Sequence, residues 1–314
     1  MKGEPVERDI KINDALFSKA AYDIEHALCM YALDFCTLPG EMIYDKEAIA
    51  SIASVADRCH IYVIGYTPCV NFIDAKKVES DLLLSFDVAG KRHIIKYQVP
   101  EGFSLVQDDG CYFLIDSSGE RYSPNEPDML TRLNSESKSA NFEVKYVGQA
   151  YGKDGSRSAI DRLLKHETLQ RIALEGAPEG YRITLLLLQI QPGNQLITAF
   201  NPFAKDTESG EQRIKQGLDK LFDTTEQERV SLYEAALIRY FYPDFNKEFK
   251  ESFPSTNLKI LRDCYDKDFS AVIAEICIDD LPYTLWSKSV EAKHSHLARH
   301  DLHKEEDRKI FFGL

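Results

Sequence analysis

Apolar residues fall into short runs along the chain, and most of these runs have the length of β-strands. They predict strands near residues 60–66, 111–116, 142–149, 181–191 and 271–278. The run at 181–191 is apolar on both faces, which is typical of a strand in the middle of a sheet. Residues 81–86 and 93–99 predict a hairpin, because Ala89-Gly90-Lys91 between them favours a turn.

Other segments have apolar residues at helical spacing, and they predict helices at 16–35, 158–173 and 227–240. Ser158 and Asp161 have the spacing of a capping box at the start of the second helix, and Pro243 stops the third. Residues 117–141 and 193–225 are polar and predict insertions or long loops. The chain ends in a segment with four histidines, for which we predict a charged helix.

The amino-acid composition limits the classes of protein to which the chain can belong. The 314 residues contain 38 Lys and Arg and 51 Asp and Glu, so the net charge is −13, and 44% of the residues are hydrophobic. This composition is typical of a globular chain with a proper core, and we expect about two domains. The longest apolar run, 183–190, is far shorter than the roughly 20 residues that span a bilayer. We therefore expect a cytoplasmic protein with no membrane partner.

The cysteines also favour a cytoplasmic location. There are seven, and none forms a Cys-x-x-Cys pair. An odd number without paired spacing indicates neither a disulfide framework nor a cysteine zinc site, so we interpret them as reduced core residues.

Glu234 lies where the helix pattern favours an apolar residue. It shares one face of the helix at 227–240 with Val230 and Phe241. A buried carboxylate needs a compensating cation, either an Arg or Lys side chain in an ordinary ion pair or a bound metal ion. Both alternatives are open at this point.

Arg162 and His166 are four residues apart, which places them on one face of the preceding helix. Arg is suited to a phosphate and His to proton transfer near neutral pH, although a solvated helix face is the plainer alternative. The surrounding segment, 144–172, contains six Lys and Arg against three Asp and Glu. A basic island in an acidic chain favours a local site for a polyanion.

Two tyrosine motifs precede this helix. The order of motifs resembles the GIY-YIG nuclease superfamily, whose first strand carries Gly-Ile-Tyr and whose second carries Tyr-Ile-Gly. Gly110-Cys111-Tyr112 resembles the first motif, and Tyr146-Val147-Gly148 resembles the second. Some 33 residues separate the two tyrosines, which is longer than is usual in the family, so we interpret the intervening segment as an insertion.

The helix residues extend the resemblance. The phosphate-binding Arg of the family matches Arg162, and the His of a subset related to restriction endonucleases matches His166. The metal-binding Glu and a later Asn match Glu234 and Asn246, within Glu-Ala-Ala-Leu-Ile…Pro…Asn. The resemblance implies a GIY-YIG-type core over 106–255, in which a small mixed or antiparallel sheet is flanked by helices. We thus expect an α+β protein with an N-terminal α/β region at 1–105 and a C-terminal hairpin and charged helix at 256–314.

The resemblance also implies a metal-dependent endonuclease that acts on DNA. Glu234 would hold Mg²⁺, with Mn²⁺ as a substitute, and Arg162 would clamp the phosphate. One of Tyr112 and Tyr146 would act as the general base, with His166 hydrogen-bonded to it. Gly148 and Lys153 would contact the substrate, Lys153 at a phosphate oxygen, and Asn246 would orient the loop or the substrate.

Several alternatives remain open. The same fold could form a catalytically silent module that binds nucleic acid or protein, and RNA is an alternative substrate. Residues 1–100 contain 11 Lys and Arg and 15 Asp and Glu, which indicates a surface for a protein partner or a homodimer rather than for DNA. The tail offers an alternative metal site on its predicted helix, at His294, His296, His300 and His303.

Overall fold

The computed structural model describes residues 21–152, 158–254 and 257–303. In chain order the strands are β1 (Ile24–Pro39), β2 (Ile61–Pro68), β3 (Val70–Val78), β4 (Asp81–Val88), β5 (Lys91–Gln98), β6 (Ser104–Asp108), β7 (Cys111–Ile115), β8 (Arg121–Tyr122), β9 (Asn141–Gln149), β10 (Tyr181–Ile190), β11 (Gln195–Phe200), β12 (Ala271–Cys277), β13 (Thr284–Ser287), β14 (Val290–Lys293) and β15 (Ser295–Asp301).

The helices are α1 (Lys46–Ala56), α2 (Glu126–Ser137), α3 (Ala159–Leu163), α4 (Glu167–Glu175), α5 (Gly210–Asp223), α6 (Glu226–Phe241) and α7 (Lys259–Asp266), and a 3₁₀ turn covers Gly40–Tyr44. No helix in these three ranges has the length and apolar character that crossing a membrane requires.

A mixed sheet of nine strands dominates the described ranges. Eight of them follow the order β14-β13-β9-β2-β10-β1-β12-β15, and β11 pairs with the first part of β1. At its centre, β2 pairs antiparallel with β9 on one side and with β10 on the other. β1 pairs antiparallel with β10 through its second half and parallel with β12 through its first half.

The expected small sheet flanked by helices is wrong. The main sheet takes β1 and β2 from the predicted N-terminal part, β9 to β11 from the central part and β12 to β15 from the C-terminal part. The boundaries near 105 and 255 therefore do not coincide with edges of this sheet. A local pattern predicts a strand but not the distant strand with which it pairs, so the size of the sheet could not be predicted from the sequence.

Each face of the sheet carries its own apolar core, and the central strand β10 contributes to both. Leu186 and Leu188 face the core formed with α6 and α7. Leu185 and Leu187 face the other core, which is formed with α1, α3 and α4. This confirms the prediction that 181–191 is a central strand, because such a strand is buried on both sides.

Two predicted helices are wrong. Residues 24–35 of the segment predicted as helix 16–35 belong to β1, which continues to Pro39, and residues 16–20 lie outside the described ranges. β1 has paired strands along both edges, and its first seven residues are buried regardless of face, so the sheet overrides the helical spacing. The tail predicted as a charged helix forms β14 and β15 up to residue 301.

The inserted segment between β2 and β9 forms two small sheets and a helix, and the long loop or insertion predicted at 117–141 contains β8 and α2. β3, β4 and β5 form one sheet, β6, β7 and β8 form the other, and α2 packs against them. The hairpin predicted at 81–86 and 93–99 is confirmed as β4 and β5. Leu84, Phe86, Ile95 and Leu133 are buried in a core that belongs to this insertion alone.

Gly65 is the tightest position in the centre of the sheet. It lies in β2 where the register with β9 shifts by one residue. A Cβ atom there would overlap the ring of Phe142 and the carbonyl oxygen of Glu143.

We therefore expect Gly65→Ala to lower the free energy of unfolding by roughly 2–3 kcal/mol, because backbone and a buried ring would have to move. Urea denaturation measures this change. Gly193→Ala is the matched control, since a Cβ at Gly193 meets no atom within 4 Å. Equal midpoints for the two variants would contradict the packing described here.

Candidate active site

Tyr62 in β2 and Tyr146 in β9 lie side by side near the middle of the sheet. Their rings are nearly parallel, with centroids 6.2 Å apart and an angle of 26° between the planes. The hydroxyl groups are hydrogen-bonded to each other. Tyr62 is almost fully buried, whereas Tyr146 is partly exposed to the cavity described below.

Gly148 is directly opposite Tyr62 in the antiparallel register. A Cβ atom at Gly148 would lie 2.5 Å from both Cζ and Oη of Tyr62 and 2.7 Å from Cε1 of Tyr146. The glycine of the Tyr-Val-Gly motif thus leaves room for the tyrosine pair. This is a packing role, where the sequence predicted contact with substrate.

Arg162 reaches the same place from α3. That helix begins with the predicted capping box, in which the side chains of Ser158 and Asp161 satisfy each other's backbone N–H groups. The Arg162 side chain is hydrogen-bonded to the hydroxyl of Tyr62. A permanent cation therefore lies beside a buried phenol.

His166 completes the group from the start of α4. The predicted single helix is broken between α3 and α4, and His166 is the N-cap residue of α4. Its Nδ1 atom accepts the backbone N–H of Leu169 at 3.3 Å, so the neutral ring carries its proton on Nε2. The ring centroid lies 5.4 Å from that of Tyr62 and 5.2 Å from that of Tyr146.

Glu234 projects from α6 toward the end of β9. Its carboxylate accepts hydrogen bonds from the side chain and the backbone N–H of Gln149. The Oε1 atom of Gln149 accepts the hydroxyl of Ser231 at 3.3 Å, which orients the amide group toward the carboxylate. The sequence analysis did not identify Gln149 or Ser231 as site residues, because neither a Gln at the polar end of a strand nor a Ser on a helix face stands out.

Burial, together with the negative charge of Glu248, raises the pKa of Glu234 to about 8. The hydrogen bonds from Gln149 and the charge of Arg162 act in the opposite direction. Because burial dominates, the carboxyl group is largely protonated at neutral pH in the absence of a bound cation.

Burial also raises the pKa of both tyrosines. The neighbouring Tyr146 and Glu234 add to this effect at Tyr62, and Glu234 adds to it at Tyr146. Arg162 lowers the pKa of both phenols, and the hydrogen bond from Tyr62 lowers that of Tyr146. Without a further positive charge the two hydroxyls keep their protons at neutral pH.

Asn246 covers an open edge of the sheet beside this group. β13 pairs with β9 only at residues 141–143, so the later part of that edge has no strand partner there. Asn246 replaces a strand at this point, since its Oδ1 accepts the N–H of Val147 at 2.9 Å and its Nδ2 donates to the carbonyl of Val147 at 2.8 Å. Both polar atoms of the amide are thus engaged in positioning the loop, which is one of the two roles that the sequence predicted for Asn246.

These elements enclose a cavity of about 560 Å³. Tyr62, Tyr146, Arg162 and Glu234 line it, and Gln149, Thr168, Arg171, Lys247 and Glu248 are further lining residues that sequence reasoning missed. A smaller pocket of about 230 Å³ adjoins it and shares Gln149 and Arg162. The larger cavity has room for a phosphate and its flanking sugar.

Tyr112 is not part of this group. It lies in β7 of the inserted unit, where its ring contacts Phe72 at a centroid distance of 5.5 Å and packs against the small core. Tyr62 occupies the position predicted for Tyr112. The signal was present in the sequence, because Ile61-Tyr62 matches the last two residues of Gly-Ile-Tyr better than Cys111-Tyr112 does.

Lys153, another predicted contact with substrate, lies outside the described ranges. The histidines of the tail do not form the alternative metal site. Nε2 of His296 is hydrogen-bonded to the carbonyls of Leu285 and Lys293, and Nε2 of His300 to that of Ala236. They attach β15 to its neighbours.

A magnesium ion suits the residues of the cavity. Within the described ranges no group of three or more His, Cys, Asp or Glu side chains gathers to hold a metal ion. Mg²⁺ does not need such a cage, because it keeps several waters and binds through one or two carboxylates and the phosphates of a substrate. Glu234, with Glu248 on the same cavity, provides this kind of donor set.

Comparison with known proteins adds no relative. No family model matches the chain, no curated protein matches it, and no solved structure matches its fold. The function has to be inferred from the residues of the cavity and their contacts.

The raised pKa of Glu234 predicts how stability depends on pH. Between about 4.5 and 8 the folded chain holds a proton that the unfolded chain has released, so the metal-free protein loses stability as pH rises through this window. Glu234→Gln removes the effect. We expect it to equal the native chain at pH 4.5 and to exceed it by roughly 1–3 kcal/mol at pH 8.5.

Urea denaturation at the two pH values in the presence of EDTA provides the measurement. Glu101→Gln is the control, because the Glu101 side chain is exposed and lies in the inserted unit, away from the cavity. Parallel pH profiles for Glu234→Gln and the native chain would show that the carboxyl group titrates normally.

Proposed function

We propose that this chain is a metal-dependent endonuclease that hydrolyses phosphodiester bonds of DNA, with a set of site residues like that of GIY-YIG nucleases. The observation that carries the proposal is the convergence of two tyrosines, an arginine and a glutamate on one cavity, with a histidine ring packed against both tyrosines. They come from β2, β9, α3, α4 and α6. Gathering buried ionisable groups in this way costs stability, which favours a catalytic over a structural role.

Arg162 is the phosphate clamp in this proposal. Its guanidinium group lines the cavity and lies beside the Tyr62 hydroxyl. A planar guanidinium can donate two hydrogen bonds to the nonbridging oxygens of one phosphate. This would place the scissile phosphorus next to the tyrosine pair.

Tyr146 is the general base that the geometry favours. It is the tyrosine with access to the cavity, and Tyr62, held by Arg162, is hydrogen-bonded to it and lowers its pKa. In its deprotonated form Tyr146 would take a proton from water as the water oxygen bonds to phosphorus and the bond to the leaving oxygen breaks. The proton would leave Tyr146 through the open cavity, and His166, whose ring lies against both tyrosines and whose Nδ1 already accepts the N–H of Leu169, would hold the pair in place.

Glu234 would hold the cation, with Gln149 fixing the direction of its carboxylate. Bound Mg²⁺ or Mn²⁺ would supply neutralisation of charge on the phosphate and on the leaving oxygen. A cation at this position also offsets the cost of burying the ionised Glu234. Arg171 and Lys247 line the same cavity and would add to the attraction for a polyanion.

We also infer that the activity belongs in the cytoplasm, since all seven cysteines are free thiols and suit a reducing compartment. Each chain carries one such cavity in its described part, so cutting both DNA strands would take two chains or two successive nicks.

Plasmid cleavage tests the proposal. We expect purified protein to nick supercoiled DNA with Mg²⁺ or Mn²⁺, and EDTA to abolish nicking. Arg162→Ala, Tyr146→Phe and Glu234→Gln should each lower the rate by about 10²-fold or more, because each removes a group that acts in the transition state.

Tyr112→Phe is the matched control and should cleave at the native rate, because Tyr112 lies in the inserted unit. Loss of cleavage in this variant alone would move the site there. A native chain that binds DNA but cuts neither DNA nor single-stranded RNA would instead support the silent binding module.

A further inference from the structure

The helix α5 is attached to the rest of the chain by polar contacts rather than by an apolar face. Its buried residues are charged or lack a side chain: Gly210, Arg213, Gly217 and Lys220. Arg213 donates to Oε2 of Glu25 in β1 at 3.2 Å, and Lys220 donates to Oδ2 of Asp263 in α7 at 2.7 Å. A surface helix normally turns its apolar residues toward the core, so the usual arrangement is reversed here.

The apolar residues of α5 point outward instead. Ile214, Leu218 and Phe222 are four residues apart and therefore form one stripe along the helix, which we call the α5 stripe. Their exposed fractions are 46%, 45% and 79%. Three large apolar side chains in a row on the surface indicate a face that another molecule covers.

Phe200 extends this apolar surface onto β11. It follows Leu196 by four residues in that strand, so both side chains lie on the same face of the sheet. This is the face that α5 covers, because a Cβ atom at Gly217 would lie 2.9 Å from Cδ2 of Leu196. Phe200 is 64% exposed, so the apolar surface continues beyond the helix.

A row of charged residues runs beside the α5 stripe and limits what can cover it. Its members are exposed and are again four residues apart: Glu211, Lys215, Asp219 and Asp223. Three acidic residues against one cation would repel nucleic acid and anionic lipid, which argues against both as the covering partner. A second copy of the chain brings the same row, in which a lysine can meet aspartates.

We propose that the α5 stripe joins two copies of this chain in a homodimer, with the two α5 helices packed antiparallel about a twofold axis at Leu218. The axis places Leu218 against its own copy and Ile214 against the partner's Phe222. It also brings the two charged rows to the same side of the helix pair. Such a contact is self-complementary and closed, as a twofold interface has to be.

The charged rows are complementary in this arrangement. Lys215 lies three residues before the axis, whereas Asp219 and Asp223 lie one and five residues after it. The lysine therefore falls midway between the partner's Asp219 and the partner's Asp223, about 3 Å along the helix from each. The twofold axis forms this set of opposite charges twice.

Sedimentation of the native chain and of Leu218→Glu tests the surface. We expect the native chain to be a dimer at about 20 μM, and Leu218→Glu to raise the dissociation constant by about 10²-fold or more, because it buries two carboxylates against each other. Leu174→Glu is the matched control, since Leu174 is another exposed leucine of a helix, and it should dimerise like the native chain. A monomeric native chain, or a Leu218→Glu dimer of native strength, would overturn the proposal.

Reversal of the charged rows tests the antiparallel arrangement. We expect Lys215→Glu to weaken the dimer by about tenfold, because it places three like charges together. The triple variant Lys215→Glu, Asp219→Lys, Asp223→Lys restores opposite charges and should return to within about threefold of the native affinity. A triple variant as weak as Lys215→Glu would contradict the pairing of the two rows.

Cross-linking locates the axis. We expect Leu218→Cys to form a covalent dimer in oxidised glutathione and to lose it in dithiothreitol, because a residue on the axis faces its own copy. Leu174→Cys and the native chain show how much cross-linking random collisions produce. Equal rates in Leu218→Cys and Leu174→Cys would overturn the position of the axis.

The dimer does not depend on the proposed function. If both hold, each particle carries two cavities, and Leu218→Glu should retain nicking while it loses the concerted cutting of both strands. A native chain that does not nick DNA would contradict the proposed function, while sedimentation and cross-linking would still decide the dimer.

Discussion

The antiparallel pairing of β2 with β9 is the interaction on which the rest of the site depends. It brings Tyr62 over Gly148 and beside Tyr146, although the two strands are far apart in the chain. The outer edge of β9 is then closed by the side chain of Asn246 rather than by a strand. Since Asn246 follows α6, the same two hydrogen bonds fix the helix that carries Glu234 relative to the tyrosines.

The sequence predicted the parts of the site that depend on local pattern. Glu234 interrupts an apolar helix face, and Arg162 follows a capping box, so both could be found without knowing the fold. Tyr62 was missed although Ile61-Tyr62 fits the motif, because its partner strand lies beyond a folded insertion and Tyr112 is nearer to Tyr146 in the chain. The same limit explains β1, in which pairing along both edges hides the alternation that marks a strand.

The ionisable groups that line the cavity influence one another's charge. Burial favours the neutral forms of Glu234, Tyr62 and Tyr146, and Arg162 is the fixed cation in contact with the phenols. In the proposed function, a divalent cation and a phosphate bind in this cavity together. The cation would offset the negative charges of Glu234 and the phosphate, and the phosphate would offset the positive charge of Arg162. The cavity is thus better matched to a metal–phosphate pair than to either ion alone.

The inserted unit between β2 and β9 leaves and rejoins the main sheet at neighbouring points, since Tyr66 and Glu143 are directly paired. Its core is separate from the two cores of the main sheet. The two ends of this unit are so close together that a short hairpin turn could connect β2 to β9 in its place. Changes in its length or surface would leave the spacing of the two tyrosines the same.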